Sequence, residues 1–386
     1  MNPLIISLII LFVIGWNHFQ FKRKLLSPYV YYAVQFLFIY HILFSFIFTF
    51  YIEKEGGDAW RYWNGFESTH QWSTHWGSRS DFIKWLNYIP SHQLGLSFWV
   101  GNLIYAAISY IGFRQLLIFL AENSGIQHQK EKMLALVLVL CMPNVHFWTA
   151  GIGKEALLWL ALTGALLGMR RFSYRWLVVF FFIGLAWWIR PINGLGLGLI
   201  FGLSLIVSKG IPKRIKYGLT FFGLVLGYMA LEKIKLYMAI PTLNWAFVQE
   251  FSQSQFDFLS GFQAGSEVPM AQYNIFQRIW VLFFRPLINE STTGWYLVPA
   301  IENSLYLLSC LLAIFCNFKN RHFNIPVPIL MGILFGIFMA SIYALTLNNL
   351  GIIVRMKSIY MPFFYLANYF LIASCVPFAP SPSPVK

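Results

Sequence analysis

From Tyr29 to Ile52 the chain runs for more than twenty residues with almost no charge, and runs of this kind recur along most of its length. Backbone buried in hydrocarbon has no water to satisfy its N–H and C=O groups, so only helices and closed barrels cross a bilayer. Barrel strands read as alternating segments of about ten residues; these runs are unbroken and of helical-span length. Charged residues make up 11% of the chain, where a soluble domain carries roughly 25%. The class that follows is an all-α polytopic membrane protein. Apolar runs at 1–16, 29–51, 95–119, 133–149, 154–169, 174–190, 193–208, 217–231, 298–317, 327–347 and 356–376 predict about eleven transmembrane helices. Several middle runs fall short of the ~20 residues a crossing needs, which predicts broken or re-entrant segments.

Charge placement predicts the orientation. When loops are assigned alternately to two faces, sixteen basic residues, from Lys22-Arg-Lys24 to Lys386, share one face with only Glu122 and Glu131. The other face carries twelve basic and twelve acidic residues and sums to zero, so the whole net charge of +14 lies on one side. Lysine and arginine mark the cytoplasmic side, so the N-terminus is expected outside and the C-terminus inside. This distribution also removes any nucleic-acid reading of the excess charge. The first apolar run is followed, not preceded, by its positive charges, which makes it a span and not a cleavable signal. Residues 1–377 are expected to form one transmembrane helical domain, with outer loops at about 53–94 and 232–297. The Pro-rich 378–386 is expected to be a disordered cytoplasmic tail.

Three outer-face stretches concentrate polar chemistry. Glu53-Lys-Glu-Gly-Gly-Asp-Ala-Trp-Arg-Tyr-Trp63 follows the second apolar run directly. Gly56-Gly57 permits a sharp turn, and Asp58, Arg61 and Tyr62 share a face if a helix restarts there. Pro143-Asn-Val-His-Phe-Trp-Thr-Ala-Gly-Ile-Gly-Lys-Glu155 contains a tight turn at Gly151 and Gly153, with Lys154 at the start of the next helix. Free N–H groups and the dipole make a helix N-terminus favour anions, and Lys154 strengthens that preference. The segment lacks the Gly-x4-Gly-Lys-Ser/Thr pattern of a nucleotide loop. The third set is Arg190-Pro191, Arg285-Pro286 and Arg355, each where an apolar run meets the outer face. Cations at membrane depth are costly and point to function, and arginine is the favoured bidentate partner of phosphate.

Together Arg61, Lys154, Arg190, Arg285 and Arg355 suit the phosphate of a lipid carrier, with Tyr62 and Glu155 as neighbours in substrate binding. Asp58, Glu155, Glu290 and Glu302 are the carboxylates able to take a proton from an acceptor hydroxyl. Asp58 ranks first, because Trp60, Tyr62, Trp63, Trp72 and Trp76 offer flat faces for sugars nearby; Glu302 ranks second as a catalytic residue. His70, His75 and His92 with Asp81 match no metal-ligand spacing, and Cys141, Cys310, Cys316 and Cys375 form neither a metal motif nor a disulfide framework. No metal and no cofactor is expected. Phe247, Phe251, Phe258 and Phe262, near helical spacing, suggest amphipathic helices in the interface.

Gly57-Asp-Ala-Trp-Arg-Tyr62, the Phe-Trp-Thr-Ala-Gly-Ile-Gly-Lys-Glu155 stretch, Phe284-Arg-Pro286 with Glu302-Asn303, and Asn349-Leu-Gly with Arg355 and Pro362 occur in a familiar order. In these the chain resembles the Wzy-type and related repeat-unit polymerases of bacterial surface-polysaccharide loci, which share a helical architecture with lipid-sugar-dependent membrane glycosyltransferases. The resemblance implies transfer of glycan from an undecaprenyl diphosphate carrier to a second lipid-linked sugar, on the periplasmic side of the inner membrane. It implies that some of Arg190, Arg285 and Arg355 bind the diphosphate, and it identifies no catalytic base. Partners would be lipid-linked oligosaccharides, membrane lipids and other polysaccharide-assembly proteins, with no nucleic acid. The closest alternatives are a glycosyltransferase using a polyprenyl monophosphate donor and an O-antigen ligase-like transferase. A glycolipid flippase is a further one; it predicts charges within several spans and internal repeats, whereas here the charges gather at one rim.

Overall fold

The computed structural model describes residues 2–66, 71–169, 176–207, 245–262, 265–290, 294–319 and 325–375, with scattered positions between 212 and 228. Sixteen helices in these stretches carry the architecture: α1 (Asn2–Lys22), α2 (Pro28–Glu55), α3 (Asp58–Asn64), α4 (Ser80–Asn87), α5 (Phe98–Asn123), α6 (Lys130–Leu140), α7 (Pro143–Thr149), α8 (Lys154–Gly168), α9 (Trp176–Ile189), α10 (Pro191–Val207), α11 (Trp245–Ser260), α12 (Ile275–Phe284), α13 (Gly294–Lys319), α14 (Val327–Thr346), α15 (Leu350–Lys357) and α16 (Met361–Ala373). The described residues contain no strand, only an isolated bridge between Glu267 and Asn349. The chain is an all-helical protein of multi-pass membrane type.

Five helices, α1, α2, α5, α13 and α14, are long and apolar enough to cross a membrane. Two bent pairs raise the number to seven: α6 with α7 at 55°, and α15 with α16 at 59°. Among the described residues, then, at most seven spans are candidates, and eleven are not confirmed. The expected spans at 154–169, 174–190 and 193–208 are α8, α9 and α10, of 15, 14 and 17 residues. At 1.5 Å per residue they fall short of the roughly 30 Å hydrocarbon core. The expected span at 217–231, the loop segment 232–244 and the tail 378–386 lie outside the described residues.

The breaks follow from sequence. Pro143 opens α7 and Pro362 lies in the first turn of α16; proline at the first turn is tolerated because its missing N–H has no intrahelical partner there. Helix α2 starts from a Ser27 cap, whose hydroxyl accepts the Val30 N–H, and ends where the Gly56 N–H bonds the Ile52 carbonyl. Gly56 and Gly57 sit at φ 76° and 141°, backbone that only glycine takes cheaply, and α3 restarts at Asp58. The core runs through α2, α5 and α8, with α9 against α8, α10 against α9 and α14, and α13 and α14 against α16.

Candidate functional site

The site is assembled by three breaks in the helical framework at one end of the bundle. The first is the Gly56-Gly57 turn, which sends α3 off with Asp58 in its first turn. The second is Gly151-Ile152-Gly153 between α7 and α8. Buried Asn102 of α5 fixes this turn: its amide oxygen accepts the Ile152 N–H at 2.8 Å, and its amide nitrogen donates to Thr49 of α2. A side chain at Gly151 would meet the Phe48 ring at 2.1 Å, so the turn presses against α2 through a glycine. The third is the Arg190-Pro191 junction between α9 and α10.

Glu155 is the centre. Its side chain is 2% exposed, and it accepts from two arginines distant in sequence. Arg190 Nη2 donates to Oε1 at 2.5 Å; Arg355 donates Nε to Oε1 at 2.8 Å and Nη2 to Oε2 at 3.0 Å. The Arg355 contact is the two-pronged fork that guanidinium and carboxylate make best. Its remaining nitrogen, Nη1, reaches Asp58 Oδ2 at 3.4 Å, and its guanidinium lies 5.4 Å from the Trp148 ring centre. Arg190 also donates to the Met356 sulfur at 2.8 Å.

Lys154 completes the rim. Its ammonium donates to Ser80 Oγ at 3.0 Å, and the Tyr62 hydroxyl lies 3.2 Å from that same oxygen. Burial raises the Tyr62 phenol above its ordinary 10, with a smaller push the same way from Asp58, while the Ser80 hydrogen bond acts oppositely. Ser80 is held in place because the loop before α4 docks on α9: Trp188 Nε1 donates to Gly77 O at 2.7 Å, and Arg79 N–H returns to Trp188 O at 2.9 Å. Trp188 is two residues before Arg190, so one anchor positions both.

Asp58, Tyr62, Lys154, Glu155, Arg190 and Arg355 are thus brought together from α3, α8, the α9–α10 junction and α15. Arg61 is at the edge, 4.0 Å from Asp58 with its side chain 78% exposed. Arg285 is elsewhere. Its guanidinium pairs with Glu290 at 2.7 Å, and its carbonyl accepts from buried Lys357 at 2.9 Å. Glu302 also stands apart: it accepts the Asn144 N–H at 2.8 Å and the Tyr365 hydroxyl at 3.0 Å, tying the start of α7 to α16. Among the expected sugar platforms, Trp60, Trp72 and Trp76 are exposed, whereas Tyr62 and Trp63 are buried. The Trp63 indole donates to Leu96 O and serves packing.

Sequence reasoning missed two members. It singled out Glu155 as a candidate base and a substrate-binding residue, and in the structure Glu155 is the hub. Ser80 and Asn102 carry no local signal. Among the described residues no group of three His, Cys, Asp or Glu is placed to hold a metal ion; His70 lies outside them.

The arrangement carries three cations and two carboxylates, one net positive charge. Glu155 is saturated by arginine and acts on other groups by orienting them. Asp58 touches its partners only at 3.4 and 4.0 Å and is 46% exposed, which leaves an oxygen free to meet a substrate hydroxyl. No family model, curated protein or solved structure matches the chain.

Proposed function

We propose that the chain is a membrane glycosyltransferase that moves glycan from an undecaprenyl (di)phosphate donor to the sugar of a lipid-linked acceptor, as a repeat-unit polymerase does. The observation that carries the reading is the meeting of Arg190, Arg355 and Lys154 beside an accessible Asp58. A leaving phosphate develops negative charge as the glycosidic bond breaks, and preorganised cations at that point lower the barrier. Asp58 takes the acceptor hydroxyl proton as general base. Glu155 holds both guanidinium groups in register, the supporting role that binding side chains need to stay positioned. Trp60, Trp72 and Trp76 supply exposed rings for sugar faces. In this reading the site opens to the periplasm, the side to which the charge distribution assigns it.

The test is Asp58→Asn in a cell whose surface polymer depends on this chain. Polymer collapses to single repeat units while the variant's membrane level matches wild type. Wild-type polymer length in the variant would remove Asp58 from the mechanism.

A further inference from the structure

Away from the rim, His41 of α2 and His146 of α7 face each other inside the bundle, both wholly buried. Their Nδ1 atoms are 2.8 Å apart. His146 Nε2 is 2.7 Å from the Leu140 carbonyl, and His41 Nε2 is 2.8 Å from Ser109 Oγ of α5. Ser109 Oγ is in turn 2.8 Å from the Thr149 carbonyl at the end of α7, with the Ala106 carbonyl at 3.1 Å. The result is a chain of four close contacts with a carbonyl, which can only accept, at each end.

Four hydrogen-bonded contacts need four hydrogens. Two neutral imidazoles and one hydroxyl supply three. In the neutral state the shortage has to fall somewhere. If His146 Nε2–H bonds Leu140 and His41 Nδ1–H bonds His146, then Ser109 must donate to His41 and leave the Thr149 carbonyl facing a lone pair. If Ser109 donates to Thr149 and His41 Nε2–H to Ser109, then either His146 Nε2 faces the Leu140 carbonyl, acceptor against acceptor at 2.7 Å, or the two Nδ1 lone pairs face each other at 2.8 Å. One further hydrogen satisfies all four contacts of the chain from Leu140 to Thr149 at once. We propose that His41 and His146 form a proton-binding site within the bundle, which holds one proton more than two neutral histidines carry.

Burial opposes a charge here; the hydrogen-bond shortage and the aromatic faces work against that cost. Phe113 stacks on the His146 ring at 4.3 Å and lies 5.1 Å from the His41 ring centre; the Tyr40 ring stands edge-on to His146 at 4.9 Å. Aromatic faces attract a cation and exclude water from it. The ionisable groups around the pair are few. Tyr40 of α2 donates its hydroxyl to the Cys141 carbonyl, Cys141 itself follows α6, and Glu302 of α13 reaches α7 at the Asn144 N–H. Helices α5 and α8 present Phe113 and, behind it, Trp159, which carry no charge. The proton has a structural consequence. It completes the links from α7 to both α2 and α5, and α7 ends at Thr149, just before the turn that carries Lys154 and Glu155. Its loss removes one of those links beside that turn.

The test uses the full chain in lipid nanodiscs with ¹⁵N-labelled histidine. A coupling across the N–H···N bond picks out the His41–His146 pair among the eight histidines without any variant. Near neutral pH the pair shows that coupling together with protonated shifts at both Nε2 atoms; a neutral pair shows either one protonated Nε2 with the coupling or two without it, and either result would overturn the proposal. In Ser109→Ala the hydroxyl that accepts from His41 is gone, so the same pair falls to one protonated Nε2. A second protonated Nε2 that survives this substitution would equally sink the account.

Discussion

Glu155→Gln is the substitution that separates a hub from a bystander. The carboxylate accepts three hydrogen bonds from Arg190 and Arg355, and glutamine keeps its volume while replacing one acceptor oxygen by a donor. Removing one partner of a buried ion pair costs about 3–5 kcal/mol, because the surviving charge is left uncompensated. Here the arginines are 15% and 22% exposed, Arg355 keeps Asp58 and Arg190 keeps the Met356 sulfur. Those residual partners bring the expected loss to about 2–4 kcal/mol, since partly hydrated groups pay less. A 150–250-residue protein loses about 2–4 °C per kcal/mol and a longer one less, so a drop of roughly 3–6 °C is expected in a detergent melting curve. Asp58→Asn, at a half-exposed carboxylate, is expected to shift the melt by about 1 °C or less. A cycle with Arg355→Gln should give a coupling of roughly 1–3 kcal/mol. Wild-type melting in Glu155→Gln, or additivity in the cycle, would refute the reasoning.

Other expectations are sharper at single atoms. Arg355→Lys replaces a fork by a point charge and loses a charge-assisted hydrogen bond of about 1.5–3 kcal/mol, so transfer from a lipid-linked donor should slow by about 10- to 100-fold. Arg285→Lys keeps its charge beside Glu290 and should stay within about threefold, measured in the same assay; equal losses in the two variants would contradict the separation of the clusters. Gly151→Ala drives a methyl into the Phe48 ring and should destabilise by about 1–3 kcal/mol. Gly198→Ala, in α10 with nothing within 4 Å, should instead be neutral or stabilising by roughly 0.5–1 kcal/mol. Gly57→Ala forces a side chain to φ 141° at about 1–2 kcal/mol and swings α3, so melting temperature and activity should fall together.

What could be read from the sequence was what short segments decide alone. The Gly56-Gly57 turn and the restart of a helix at Asp58 depend on local backbone freedom. Lys154, Arg190 and Arg355 announce themselves because a cation at the end of an apolar run needs a reason. The hub did not, because Glu155 and Arg355 are 200 residues apart and nothing in either neighbourhood names the other. Arg285 shows the limit from the other side: its place at the end of an apolar helix says nothing of its azimuth around the bundle, and it faces Glu290 instead. The count of eleven spans is not confirmed, for a similar reason. An apolar run of fifteen residues is the same string in a core helix such as α8 as in part of a crossing. His41 and His146 sit in apolar surroundings with no spacing that links them, so only their contact in space reveals the pair.

The most direct measurement is a titration of the purified chain with a short-chain polyprenyl phosphate and the matching diphosphate, in wild type, Arg355→Gln and Arg285→Gln. Convergence of Arg190, Arg355 and Lys154 on one anion predicts saturable binding of at least one of these lipids. That binding should weaken by about tenfold or more in Arg355→Gln and be little changed in Arg285→Gln. Equal affinity in all three proteins, or a loss confined to Arg285→Gln, would contradict it.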